Sequence, residues 1–220
     1  MPGTDSPQLM FNGPTEAATT IILAHGAGAG MDTSFMEFFA QGLAAGGLRV
    51  VRFEFPYMAQ RRLGGSKRPP DREDVLRQVW LDVIRRSRET RLVIGGKSLG
   101  GRIASLIADE AQVAGLVCLG YPFHPVGKAA QTRIGHLRAI KTPTLILQGT
   151  RDPFGMQEEV TSYPLAGSIR LYWLEDGEHS FKPRNASGRT ETQNWEDAVA
   201  VLLTFIASES ACPGFHPGSQ

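Results

Sequence analysis

Residues 91–101 constrain this chain more than any other stretch. A short apolar run, Leu92, Val93 and Ile94, breaks at Gly95 and Gly96, presents Lys97 and Ser98, and meets Gly100 and Gly101 before a helical pattern begins. Gly96 to Gly100 fits G-x-S-x-G, a strand–turn–helix elbow that exposes one hydroxyl above a buried strand. Strand and helix can approach that closely only where the positions two residues before and after the serine are glycine. The plainer alternative for Ser98 is a helix N-cap. The same residues also spell the end of a phosphate-binding loop, Gly96-Lys97-Ser98. That loop needs a second glycine five positions earlier, where this chain has Arg91, and residues 92–94 read as strand. The nucleotide reading fails.

Around the elbow, apolar runs alternate with amphipathic stretches. Strands are expected over residues 19–24, 48–55, 92–94, 113–119, 144–147 and 169–174, with a weaker edge strand at 9–11. Phe35, Phe38, Phe39 and Leu43 recur at helical spacing. A second helix, begun by Asp71, carries a stripe of Val75, Leu76, Val79, Trp80, Val83 and Ile84, and a terminal helix is expected over 194–207. Further short helical pieces fall near 136–140 and 156–163, and residues 58–70 read as a loop. Such alternation specifies an α/β fold: a mostly parallel sheet of about six to seven strands, flanked by helices on both faces. No insertion is long enough for a cap domain. Residues 1–18 form an N-terminal segment, 19–207 the domain, and 208–220 a disordered tail.

Composition narrows the function classes. With 220 residues, 41% apolar and 20% charged, the chain fits one globular core. A net charge of +1 gives no electrostatic case for nucleic acid or an anionic membrane. No apolar run reaches the roughly 18 residues of a membrane span, and no basic region followed by an apolar segment marks a signal peptide. Cys118 falls in a strand and Cys212 in the polar tail, so no bridge between them is expected, and a reducing, cytoplasmic setting is the default. No cluster has metal-ligand spacing. The glycines Gly26, Gly28 and Gly30 alternate with alanine, and Met31 follows, so the dinucleotide fingerprint is absent. No cofactor is expected.

A serine hydroxyl is a weak nucleophile at neutral pH, so the elbow calls for a histidine base and a carboxylate to orient it. In elbow folds they follow in the order serine, acid, histidine, each in a loop beyond a strand. Asp152 lies just past residues 144–147, and His179 just past 169–174. Both positions hold the required residue type in the required order. Asp176 and Glu175 are fallback acids, too near His179 in sequence to be preferred. An Asp-Pro turn is the structural alternative for Asp152. Oxyanion donors are expected from the amide of Leu99 and from the loop after the first strand, at Ala27 or Gly28. His124, Tyr57 and Phe154 lie beyond strand ends and are candidate substrate contacts. His25 is read as shaping the glycine-rich loop. The basic stretch with Arg61, Arg62, Lys67 and Arg68 admits an anion-recognition reading beside the simpler one of a solvated loop. Lys97 receives no role.

These residues resemble an α/β-hydrolase family that also contains testis-expressed and NSL-complex-subunit proteins, a branch near the dienelactone-hydrolase-like enzymes. The matching segments are His25 to Gly28, Arg52 to Met58, Lys67 to Asp71, Gly96 to Gly101, Gly120 to Pro125, Gln148 to Gly155 and His179 to Phe181. They span residues 19–207, and the Gly149-Thr150-Arg151-Asp152-Pro153-Phe154-Gly155 run is the most specific. The resemblance implies a lidless hydrolase domain with Ser98, Asp152 and His179 as its triad. It supplies no substrate, since the family includes members that look like scaffolds. Cleavage of a small ester, thioester or lactone through an acyl-enzyme is therefore the expected function. A peptidase or amidase with the same triad, and a non-catalytic interaction module, are the alternatives. The expected partner is a small acyl substrate.

Overall fold

A computed structural model describes residues 7–87 and 91–209. In chain order its elements are β1 (Leu9–Asn12), β2 (Thr19–Ala24), α1 (Ser34–Ala45), β3 (Arg49–Phe53), α2 (Pro56–Arg62), α3 (Glu73–Arg85), β4 (Arg91–Lys97) and α4 (Leu99–Ser105). Then come β5 (Gly115–Leu119), β6 (Thr144–Gly149), α5 (Gln157–Val160), β7 (Ile169–Leu174) and α6 (Glu191–Ser208). The strands form one sheet in the order β1-β3-β2-β4-β5-β6-β7. Only β1 runs antiparallel, pairing with β3 at the edge.

Every residue of β2, β5 and β6 is buried, as strands covered on both faces require. Alternate side chains divide the core in two. Ile21, Leu23, Val93, Val117 and Leu147 point to α1 and α6, against Phe39, Leu43, Leu202 and Phe205. Ile22, Ile94, Leu116, Cys118 and Ile146 point the other way, towards Trp80 and Ile84 of α3 and Ile103 of α4.

The order β3-β2-β4 carries the functional consequence. After β2 the chain moves outwards to β3, and after β4 it moves in the opposite direction to β5. The loops leaving β2 and β4 therefore diverge and leave a crevice between them at the carboxyl ends of the strands, where open α/β sheets place their ligands. Those loops are the glycine-rich run and the elbow.

Three local readings change. Residues 58–70 do not form a loop throughout, because α2 occupies the first part. Pro56 starts this helix, in a position where its missing N–H is not needed. Asp71 does not open the next helix, which begins at Glu73. Its carboxylate instead accepts the Tyr57 amide at 2.9 Å, capping α2 from fourteen residues away, and pairs with Arg68 at 2.9 Å. The terminal helix starts at Glu191 rather than at 194, because Thr190 and Gln193 form a reciprocal capping box. The tail expected from residue 208 lies, beyond Glu209, outside the described residues, as do Cys212 and His216. No described helix is long and apolar enough to cross a membrane.

Helix α4 packs closely against the end of β2. A Cβ on Gly100 would stand 2.4 Å from the Ala24 carbonyl oxygen and 2.7 Å from that of His25. Gly100→Ala normally favours a helix by about 1 kcal/mol. Here it is expected to destabilise the protein by about 1–3 kcal/mol through overpacking. Urea denaturation checks the sign, and an unchanged or raised midpoint would refute the close approach.

Candidate active site

Ser98 stands between β4 and α4 with φ 49° and ψ −111°, a conformation that L-residues rarely adopt. Strain of this kind costs about 1–3 kcal/mol and persists only where the surroundings enforce it. They do so here. The Ser98 amide donates to the Leu119 carbonyl at 3.0 Å, and the Arg102 amide returns to the Ser98 carbonyl at 2.9 Å. At Gly96, φ is 151° and a Cβ would lie 2.1 Å from the Ala24 carbonyl oxygen. The Ser98 side chain makes no cap hydrogen bond to α4, which removes the N-cap alternative. Ser98 instead lines a cavity of about 400 Å³.

His179 lines the same cavity. Its Nδ1 lies 2.7 Å from Oδ2 of Asp152, which is fully buried. A carboxylate only accepts, so Nδ1 carries the proton and Nε2 keeps its lone pair. Asp152 is itself held by Gln148 Nε2 at 2.9 Å on Oδ2 and by the Phe154 amide at 2.9 Å on Oδ1. Gln148, also fully buried, is fixed in turn: its Oε1 accepts the Tyr121 amide at 2.7 Å, and its Nε2 reaches the Tyr121 and Gly155 carbonyls. Burial lowers the pKa of His179 from its ordinary 6.5, helped by the nearby Lys97 charge and opposed by the bond to Asp152. The imidazole is thus neutral at physiological pH.

The fallback acids lie elsewhere. Asp176 is paired with Arg184 at 2.5 Å and Arg151 at 2.9 Å, and Glu175 is exposed. Ala27 and Gly28 line the cavity opposite Ser98. Leu99 opens α4, so its amide has no partner one turn back within the helix. These are the three backbone positions expected to supply oxyanion donors.

The expected substrate contacts separate. Phe154 lines the cavity and packs on the His179 ring with centroids 4.3 Å apart. Tyr57 is buried behind the glycine-rich loop, its hydroxyl donating to the Gly26 and Ala27 carbonyls at 3.3 and 3.2 Å. His124 is buried away from the cavity walls, with Nδ1 2.8 Å from the Pro125 carbonyl and Nε2 3.1 Å from Glu159. Phe35 and Met36 of α1, unforeseen in the sequence, supply apolar wall. His25 accepts the Phe55 amide on Nε2 at 3.1 Å and donates from Nδ1 to the Gly26 carbonyl at 2.7 Å. With both ring nitrogens engaged and burial lowering its pKa, it braces the loop.

The glycine-rich loop is held by charges that the sequence offered as an anion site. Buried Glu54 accepts the Met31 amide at 3.2 Å and takes a two-pronged bond from Arg62 at 2.6 and 3.0 Å. Arg62 also reaches Asp32 at 2.8 Å, and buried Arg52 donates to the Met31 carbonyl at 2.9 Å. Arg61 donates to the Gly28 carbonyl at 3.2 Å. Arg61, Arg62, Lys67 and Arg68 are all exposed, as a solvated loop requires, while Arg61, Arg62 and Arg68 also hold Gly28, Glu54 and Asp71. Among the described residues, no group of three or more His, Cys, Asp or Glu side chains could hold a metal ion.

A protein-family model described as "Alpha/beta hydrolase domain" matches residues 17–207. The fold is similar to that of a lidless α/β serine hydrolase from Xanthomonas campestris, with a TM-score of 0.69, 19% identity, and coverage of 94% of this chain and 90% of that one. It is also similar to Est1E from Butyrivibrio proteoclasticus, solved with ferulic acid bound, with a TM-score of 0.69, 15% identity, and coverage of 94% and 96%. A dienelactone hydrolase from Anabaena variabilis gives a TM-score of 0.68 at 18% identity, covering 93% and 99%. At such identities these likenesses speak for the fold alone.

Arg62→Ala leaves the buried Glu54 carboxylate short of its principal partner. It is expected to cost about 1–3 kcal/mol and to speed amide exchange at Met31. Hydrogen exchange resolved by residue checks this, and unchanged protection at Met31 would contradict it.

Proposed function

The chain belongs to the alpha/beta hydrolase domain family, and on that footing we propose that it is a serine hydrolase cleaving a small ester, thioester or lactone. The observation that carries this reading is the His179–Asp152 hydrogen bond of 2.7 Å, set behind a cavity into which the strained elbow directs Ser98. Ser98 Oγ attacks the acyl carbonyl while His179 Nε2 takes its proton. The oxyanion is received by the Leu99 amide and by the amide of Ala27 or Gly28. His179 then gives the proton to the departing alkoxide or thiolate, which becomes an alcohol or thiol (in a lactone, the hydroxyl of the opened chain), leaving an acyl group on Ser98. A water repeats the sequence with His179 as base and releases the acid.

The apolar wall of Phe35, Met36 and Phe154 favours a short or flat apolar acyl group. We also place the chain in the branch with the testis-expressed and NSL-complex-subunit proteins, on the segments given above, and in the cytoplasm, on its cysteine usage.

Hydrolysis of p-nitrophenyl acetate and butyrate tests the proposal. Ser98→Ala and His179→Ala are each expected to lower kcat about 10⁴-fold or more. The account fails if Ser98→Ala retains wild-type turnover. Because the pKa of His179 is lowered, kcat/KM is expected to rise with pH along an acid limb centred below 6.5. A limb centred above 6.5 would contradict the neutral resting imidazole.

A further inference from the structure

We propose that Lys97 is a positioning residue for the base: its ammonium, donating to the main-chain carbonyl of His179, pins the imidazole-bearing loop to the strand that presents Ser98. This inference rests on the serine-hydrolase reading above.

Lys97 is the last residue of β4 and the immediate neighbour of Ser98, while His179 is carried by the loop after β7, at the sheet's far edge. The Lys97 Nζ bond to the His179 carbonyl connects the two directly. The ammonium also lies over the Phe35 ring at 4.9 Å and the Phe181 ring at 5.4 Å, so α1 and the histidine loop enclose it with aromatic faces. Room for the bond comes from Gly120 at the end of β5. There φ is 68°, and a Cβ would stand 2.7 Å from the His179 carbonyl oxygen and 2.9 Å from Lys97 Nζ. A half-buried cation is costly unless something requires it. A methionine would fill the same space, whereas the ammonium supplies a strong, charge-assisted bond to the backbone of the base.

The charged and titratable groups that face Lys97 are Asp152, Glu178 and His179. Burial pushes the Lys97 pKa down to about 8, and Asp152 and Glu178 oppose that fall. The ammonium is therefore charged at neutral pH and discharges just above it. Its charge also helps to hold His179 neutral. Position and basicity of the imidazole thus both depend on one side chain, and they can be read separately.

The experiment is the pH dependence of kcat and KM for p-nitrophenyl acetate, from about pH 5.5 to 9.5, in the full chain and its Lys97→Met and Lys97→Arg variants. Lys97→Met is expected to lower kcat about 10-fold or more with little change in KM. It should also move the acid limb to higher pH and remove the alkaline decline expected of the wild type as the lysine discharges. Lys97→Arg, which keeps the charge, should recover most of kcat and carry the decline out of range. A Lys97→Met variant with wild-type kcat, or with lowered kcat but both limbs unmoved, would overturn the proposal. If Lys97→Met does not fold, Lys97→Leu, also without the charge, is read in its place by the same two outcomes. Turnover that survives Ser98→Ala would remove the hydrolase reading and this inference together. Ser98-dependent turnover with an indifferent Lys97 would remove this inference alone.

Discussion

The structure depends on how closely helix α4 sits on strand β2. Backbone meets backbone there: positions 96 and 100 both abut the Ala24 carbonyl, at distances that leave no space for a side chain. This contact turns the chain sharply enough to hold Ser98 at positive φ. It also brings the start of α4 beside the loop that leaves β2. Strain at one residue is thereby maintained by the packing of the whole sheet, whose central strands are buried on both faces.

Around that contact, polar groups are fixed in layers. His179 is aimed by Asp152, Asp152 is fixed by Gln148, and Gln148 is locked to the backbone of Tyr121 and Gly155. On the opposite wall, the ends of the glycine-rich loop are gripped by His25, Glu54, Arg52 and Arg62. A site that is to stabilise developing charge must be organised before its ligand arrives. Here most of the polar inventory beneath the cavity holds backbone in place, and the cavity walls are largely apolar.

Much of this was legible in the sequence because it is local or ordered along the chain. The β-branched and apolar runs gave the strands, G-x-S-x-G marked the elbow, and the order of Ser98, Asp152 and His179 needed only the rule that partners follow strand ends. The rest depends on contacts between distant residues. Asp71 caps a helix fourteen residues before it, Arg62 finds Glu54 and Asp32, and Lys97 reaches a carbonyl 82 positions away. No spacing rule encodes those pairs, so the basic stretch, exposed as a solvated loop should be, also braces its neighbours through Arg61, Arg62 and Arg68. Tyr57 and His124 show the same limit. Proximity to a strand end places a residue near the crevice, but only packing decides whether its side chain faces the cavity. The earlier start of α6 is different, since Thr190 and Gln193 spell a capping box that was there to be read.

The central claim, that the elbow activates Ser98 as a nucleophile, is tested most directly by reacting the purified protein with a fluorophosphonate and mapping the adduct by peptide mass spectrometry. The account predicts a single phosphonylated site, on Ser98. An unmodified, folded protein, or an adduct on another residue, would contradict it.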